Sequence, residues 1–336
     1  MPTRRIVLKG AALAAGMISA PAVLRAQGQD NITLLTPFAF GPNFIEMMNA
    51  VAGGYFKKEG LDVDLQAGRG GSQALQQLIA GKTALIRISS IEQMRAMAAS
   101  PANLVCISTL YQSSTFHVVS PKDKPIRSAE DLKGKTVGLV SVGGSTEIFL
   151  DLMLHKVGIA PSEVKREVSG DTPAALQFVK AGRIDCFICS INVVVALREM
   201  GSPIEVWSTD RYAPMPGQGY TATREALDKN PDQFVRILRA LKGSVDELIT
   251  QPTGPIFDRA AKIFEIARLD NKQELAAIVK TSADELWLSQ GRDNLMRNVP
   301  KLWAEGLATL RASDMSKETN PEVFYTNTYI DQALKG

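Results

Sequence analysis

With 336 residues, 45% of them apolar, the chain is long enough for two α/β domains with sizeable cores. It carries 38 basic and 35 acidic residues, a formal charge of +3. Four of the bases (Arg4, Arg5, Lys9 and Arg25) lie in the first 26 residues, which hold no acid; the remaining 34 bases face 35 acids. That balance excludes a general nucleic-acid-binding role.

Residues 1–26 read as a twin-arginine-type signal peptide: Arg4-Arg5, an apolar stretch from Gly10 to Val23, and small residues suited to cleavage after Ala22 or Ala26. The apolar stretch is shorter than the ~20 residues a membrane span needs. No cysteine precedes Cys106, so a lipid anchor is not expected. The expectation is a soluble periplasmic protein.

After the leader, Asn31–Thr36 reads as a strand, broken by Pro37–Pro42. Asn43 opens a helix to about Ala52, ended by Gly53-Gly54. Strands are expected at Leu61–Gln66, Leu85–Ser89 and Leu104–Leu110, with helices at Ser72–Gly81 and Ile91–Ala99 between them. Such alternation points to a parallel sheet. A second set follows: a helix start at Ser128, strands at Lys135–Val140, Val164–Val168 and Ile204–Ser208, and a helix from Ser145 or Thr146 to Val157. From Ala226 the pattern is mostly helical. Asn230-Pro231-Asp232-Gln233 opens one helix, and others are expected around Phe257–Ala267, Lys272–Ala283, Leu295–Leu310 and Tyr329–Leu334.

Two segments repeat. Gly70–Ser89 and Gly170–Ser190, aligned on Gly81 and Gly182, each give a turn, an amphipathic helix, a helix-ending glycine, an apolar strand and a terminal serine. Two such units suggest two lobes of related design. The Ser/Thr/Tyr/Gly-rich segments Tyr111–Pro121 and Trp207–Thr223 are the expected links between lobes. Lobe I then holds residues 27–116 plus 218–336, and lobe II holds 117–217. Paired crossings favour hinge closure around a ligand.

Ligands of such sheets sit beyond the carboxyl ends of the strands. That places Phe38, Phe40, Gly71, Ser72, Ser89, Ser90 and Asn192 at the cleft, with the loop Gly143-Gly144-Ser145-Thr146. This loop joins a strand to a helix start, so its free N–H groups suit an anion or a polarised oxygen. It lacks the spacing and lysine of a P-loop, which argues against a nucleotide. Arg87 interrupts an apolar strand and has two readings: an internal ion pair, or a contact to an anionic ligand group. Phe38 and Phe40, with Tyr212 and Tyr220, are candidates for a stacking wall. His117 falls in a crossing and His155 in a helix. No Ser-His-Asp order, carboxylate-pair motif or metal-ligand cluster stands out, so neither catalysis nor a cofactor nor a metal is expected. Cys106, Cys186 and Cys189 all fall in strand-like runs and read as buried structural residues.

The order of motifs resembles that of ABC-transporter periplasmic solute-binding proteins of the alkanesulfonate, taurine, nitrate and thiamine-pyrimidine receptor group. The resemblance rests on Gly53–Val63, Gly70–Gly81, Asp131–Gly138 leading to Gly143–Thr146, Ala181–Asp185 and Asn230-Pro231-Asp232. It implies a type II periplasmic-binding-protein fold, two α/β lobes joined by two hinge segments. It also implies a small organic solute, anionic or heteroaromatic, and a monomer that docks transiently on an ABC permease. Where the group often has Gly-x-Ile-Asp in both lobes, the first copy here is Gly81-Lys82-Thr83-Ala84. A pyrimidine-processing enzyme on the same fold and a receptor for a membrane sensor are the alternatives.

Overall fold

The computed structural model describes residues 30–99, 103–266 and 269–335. The export leader read at residues 1–26 lies outside them. In chain order the first part holds β1 (Asp30–Thr36), α1 (Ile45–Ala52), α2 (Tyr55–Lys58), β2 (Leu61–Ala67), α3 (Gly71–Ile79), β3 (Leu85–Ser89), α4 (Ser90–Ala99) and β4 (Leu104–Thr109). The middle holds β5 (Phe116–Pro121), β6 (Thr136–Leu139), α5 (Ser145–Lys156), β7 (Lys165–Val168), α6 (Ala175–Lys180), β8 (Cys186–Ser190), α7 (Ile191–Glu199) and β9 (Ile204–Ser208). β10 (Gln218–Thr223) is followed by α8 (Arg224–Lys229), α9 (Pro231–Thr250), α10 (Thr253–Ala260), α11 (Lys272–Ser282), α12 (Pro300–Ala312) and α13 (Thr328–Ala333).

The strands form two five-stranded sheets, ordered β2-β1-β3-β10-β4 and β7-β6-β8-β5-β9. The orders are equivalent position by position. β1, β2 and β3 are parallel, as are β6, β7 and β8. The expectation of purely parallel sheets is corrected at one place in each: β10 runs antiparallel to β3 and β4, and β5 antiparallel to β8 and β9. These are the strands that begin where the chain has just crossed from the other sheet. They enter at the end where the parallel strands finish, so their direction is reversed. The crossing segments are therefore shorter than the sequence suggests, because their ends belong to sheets.

The repeat survives in detail. β3 and β8 are buried along their whole length, as strands covered on both faces must be. Gly81 (φ 66°) and Gly182 (φ 68°) end α3 and α6 in the left-handed conformation that glycine tolerates best. The closing bonds also match: Lys82 N–H to Gln77 O at 2.9 Å and Arg183 N–H to Phe178 O at 3.0 Å.

Three helical expectations shift. Ser128 opens only a short 3-10 turn at Glu130–Leu132, and Asp131 instead accepts the Arg127 and Ser128 N–H groups. The helix read at Phe257–Ala267 is α10, because Pro255 sits in its first turn, where a missing N–H costs nothing. The helix read from Leu295 begins at Pro300, a residue suited to the first helical position. All three cysteines are buried and unpaired, and burial pushes the Cys106 thiol up to about 11 and Cys186 to about 12.

Candidate functional site

The sheets face each other across a cleft whose floor is made by the chain crossings. There the two halves mirror one another. Ser89 ends β3 and Ser190 ends β8; Gln218 of β10 pairs with Ser89, and Phe116 of β5 pairs with Ser190. Ser90 N–H donates to Gly217 O and Ile191 N–H to Thr115 O, both at 2.8 Å. The crossings run side by side: Gly217 N–H donates to Tyr111 O at 2.9 Å. A Cβ on Gly217 would lie 2.0 Å from Ser113 O, so only glycine permits this approach. Ser114 N–H reaches Asp210 Oδ2 at 2.9 Å, and burial pushes that carboxyl up to about 6.

Two connected spaces occupy the cleft. The outer one is about 500 Å³, within the range of small-molecule sites. Phe38, Phe40, Pro42, Asn192, Val193 and Leu275 are among its walls. The inner one, about 20 Å³, has room for one water. It is lined by Phe44, Tyr111 and Phe116 together with Ser89, Glu92, Ser145, Thr146 and Gln218. Phe38, Asn43, Val140, Asp171 and Ser190 belong to both. The lobes meet on either side of the cleft, α4 against α5 and α11 against α7.

The polar lining is one-sided. Glu92 and Asp171 face the inner space and Asp171 and Glu274 the outer one, while among the described residues no lysine, arginine or histidine lines either. Asp171 Oδ1 accepts the Ser190 N–H at 2.8 Å, and Glu92 Oε1 accepts the Ser145 N–H at 2.6 Å and its hydroxyl at 2.8 Å. Burial pushes both carboxyls up, against the pull of these bonds. Asn192 Oδ1 and Gln218 Oε1 are buried with no hydrogen-bond partner among the described residues. Such groups are costly unless something else bonds them.

The candidates read from sequence divide into three groups. Phe38, Ser89, Ser145 and Thr146 meet in the inner space, and Phe38, Phe40 and Asn192 in the outer. Phe40 also packs edge-on against Phe264, and Thr146 Oγ1 is occupied by the Val140 N–H. Gly71, Ser72, Gly143 and Gly144 lie at the seam between lobes, outside both spaces; Ser72 Oγ donates to Gly143 O at 3.5 Å. Ser90 is buried beneath the floor.

Arg87 and Tyr220 are corrected. Both are fully buried in the first sheet. Arg87 Nη1 lies 3.1 Å from Glu46 Oε1, and Tyr220 donates to the same oxygen at 3.1 Å. The guanidinium also stacks over Tyr111 (4.3 Å) and Phe44 (5.1 Å). Of the two readings of Arg87, the internal ion pair is the one the geometry supports. His117 borders neither space, and burial lowers its pKa to about 4.

Sequence reasoning missed Glu92, Asp171 and Gln218, and it read α11 as a helix without placing it at the cleft. For Asp171 a signal existed: in the repeat alignment it stands opposite Gly70, an unmatched acid at the head of the second unit.

Two equivalent mixed sheets around a cleft floored by paired crossings define a periplasmic-binding-protein fold. A Bordetella bronchiseptica structure matches with TM-score 0.74 at 21% identity, covering 92% of this chain and 98% of that one. The alkanesulfonate-binding protein SsuA of Xanthomonas axonopodis pv. citri, bound to MOPS, matches with TM-score 0.64 at 14% identity, over 90% and 100%. The chain belongs to the NMT1/THI5-like family, whose profile matches residues 41–254. Riboflavin-binding protein RibY of Chloroflexus aurantiacus is 22% identical over 326 residues, 94% of this chain and 91% of that one. The Saccharomyces cerevisiae 4-amino-5-hydroxymethyl-2-methylpyrimidine phosphate synthase THI13 is 25% identical over 237 residues, 66% and 68% of the two chains. A Haemophilus influenzae protein named for thiamine biosynthesis is 28% identical over 138 residues, and this chain spans only 43% of its length. Among the described residues, no helix is long and apolar enough to cross a membrane.

Proposed function

We propose that this protein is the solute-binding component of an ABC importer, with lobes formed by residues 27–116 plus 218–336 and by 117–217. It captures a flat, nitrogen-rich solute in the interlobe cleft and presents it to a membrane permease as a monomer in the periplasm. The solute class is an amino-substituted heteroaromatic ring, neutral or protonated.

The observation that carries this reading is the cleft lining: carboxylates and unpartnered amide oxygens, with no basic side chain among the described residues. An anionic head would meet Asp171 and Glu92 with no countercharge among the described residues. Amino and ring N–H groups would instead satisfy the waiting acceptors, each charge-assisted bond contributing about 1.5–3 kcal/mol. Phe38 and Phe40 supply apolar surface for a ring. The sequence allowed an anionic or a heteroaromatic ligand; the lining favours the second. The relatives named for riboflavin binding and for pyrimidine phosphate synthesis are compatible with heteroaromatic cargo.

The test is calorimetry on the exported form at pH 7.5 with 4-aminopyrimidines, thiamine and riboflavin, against taurine, alkanesulfonates and nitrate. Binding by an amino-heteroaromatic and by none of the anions is the expected result. Tighter binding of a sulfonate would overturn the reading. Recovery of a chemically altered ligand would favour the enzyme alternative.

A further inference from the structure

Three helix N-termini converge on Glu92. It stands in the first turn of its own helix, α4. Its Oε1 accepts the Ser145 N–H and hydroxyl, at the first residue of α5 in the opposite lobe. The start of α3 closes around the other oxygen: a Cβ on Gly71 would sit 1.8 Å from Glu92 Oε2. The N-cap of α5 is Gly144, which has no side chain to cap the helix, and a Cβ there would lie 3.3 Å from Glu92 Oε1. Glu92 is 6% exposed. Helix N-termini attract negative charge, and here that place is filled by a side chain of the protein.

We propose that Glu92 is a specificity-determining residue: a built-in anion that occupies the shared helix N-termini, excludes anionic solutes, and joins the lobes without one. The inference deepens the proposed function and rests on its reading of the cleft as a solute site. The serine and two glycines around it have a common use in this light. Ser145 supplies both of its bonds, and Gly71 and Gly144 leave room for its carboxylate. A cleft arranged in this way needs no anion to neutralise the helix ends, so its ligand is chosen by the remaining acceptors.

Removing the carboxylate should vacate the slot. Methanesulfonate and inorganic sulfate are titrated into wild type, Glu92→Ala and Glu92→Gln by calorimetry, with sodium chloride at matched ionic strength as control. Wild type should show no anion binding above the chloride background. Glu92→Ala should bind methanesulfonate at least tenfold more tightly than wild type. Glu92→Gln should not gain, because its amide oxygen fills the same place. If the alanine variant does not fold, Glu92→Ser, which likewise lacks the carboxylate, asks the same question. Anion binding by wild type, or no gain in the shortened variants, would overturn the proposal. Failure of wild type to bind any amino-heteroaromatic would count against the proposed function alone, since the anion gain is read separately.

Discussion

Replacing Arg87 by methionine separates its two possible roles. In the fold, its guanidinium is 0% exposed and lies 3.1 Å from the equally buried Glu46. At an effective dielectric of about 20, that separation corresponds to an attraction of about 5 kcal/mol. Removing one member of a buried pair typically costs about 3–5 kcal/mol, because the other is stranded. The stacking on Tyr111 and Phe44 adds about 1–2 kcal/mol to what is lost. Methionine returns part of the apolar packing, so a net loss of about 3–5 kcal/mol is expected. Burial pushes the Glu46 carboxyl up even with Arg87 beside it, and more so without it. A carboxyl raised in the folded state binds its proton more tightly there than when unfolded. Its stabilising proton is present below the unfolded value and lost as pH rises through the folded one. The stability deficit of Arg87→Met should therefore be small near pH 5 and grow toward pH 8. Urea unfolding followed by the fluorescence of buried Trp287 and Trp303 measures it. Glu46→Leu combined with Arg87→Met should recover most of the loss and remove the added pH dependence. A deficit below about 1 kcal/mol with a tenfold loss of ligand affinity would show that Arg87 contacts the ligand.

Asp171→Asn keeps an oxygen for the Ser190 N–H but removes a cleft charge, so affinity for a protonated amino-heteroaromatic should fall about 10- to 100-fold, measured by calorimetry. Because burial raises the Asp171 and Glu92 carboxyls, affinity of a permanently charged ligand such as thiamine should weaken as pH falls. The loss should begin at a higher pH than ordinary carboxyls would give, and a pH series of titrations checks it. Gly217→Ala drives a Cβ into the Ser113 carbonyl, and should cost about 1–3 kcal/mol in urea unfolding.

Much of the architecture is legible because local signals repeat. Gly81 and Gly182 end matched helices, and the mostly apolar, fully buried strands after them have no other stable place than between two helical layers. Ser89 and Ser190 come to opposite walls of one space, as their shared position in the repeat implies. The antiparallel direction of β5 and β10 was not legible, since a strand's composition does not reveal which way it enters a sheet. Arg87 drew attention as an anomaly in an apolar run, but its partner Glu46 lies on another helix, and only the fold brings them together. Glu92 failed to draw attention for the opposite reason. An acid in the first turn of a helix is ordinary, and its significance comes from Ser145 of the other lobe and from the space left by Gly71. The repeat does register both site carboxylates as mismatches: Asp171 stands opposite Gly70, and Glu92 opposite Val193.

The position of β10 sets the order in which the molecule can fold. β4 joins the rest of its sheet only through β10, which the chain reaches after the whole second sheet has been made. The second sheet, Phe116–Ser208, is continuous in sequence and can assemble as soon as it is complete. The first cannot. Until Gln218–Thr223 arrives, β3 and β4 both present unpaired edges, and apolar β4 is held by nothing in its own sheet. The inserted lobe should thus become protected from hydrogen exchange before the lobe that surrounds it. Loop closure over this long separation should set the overall folding rate.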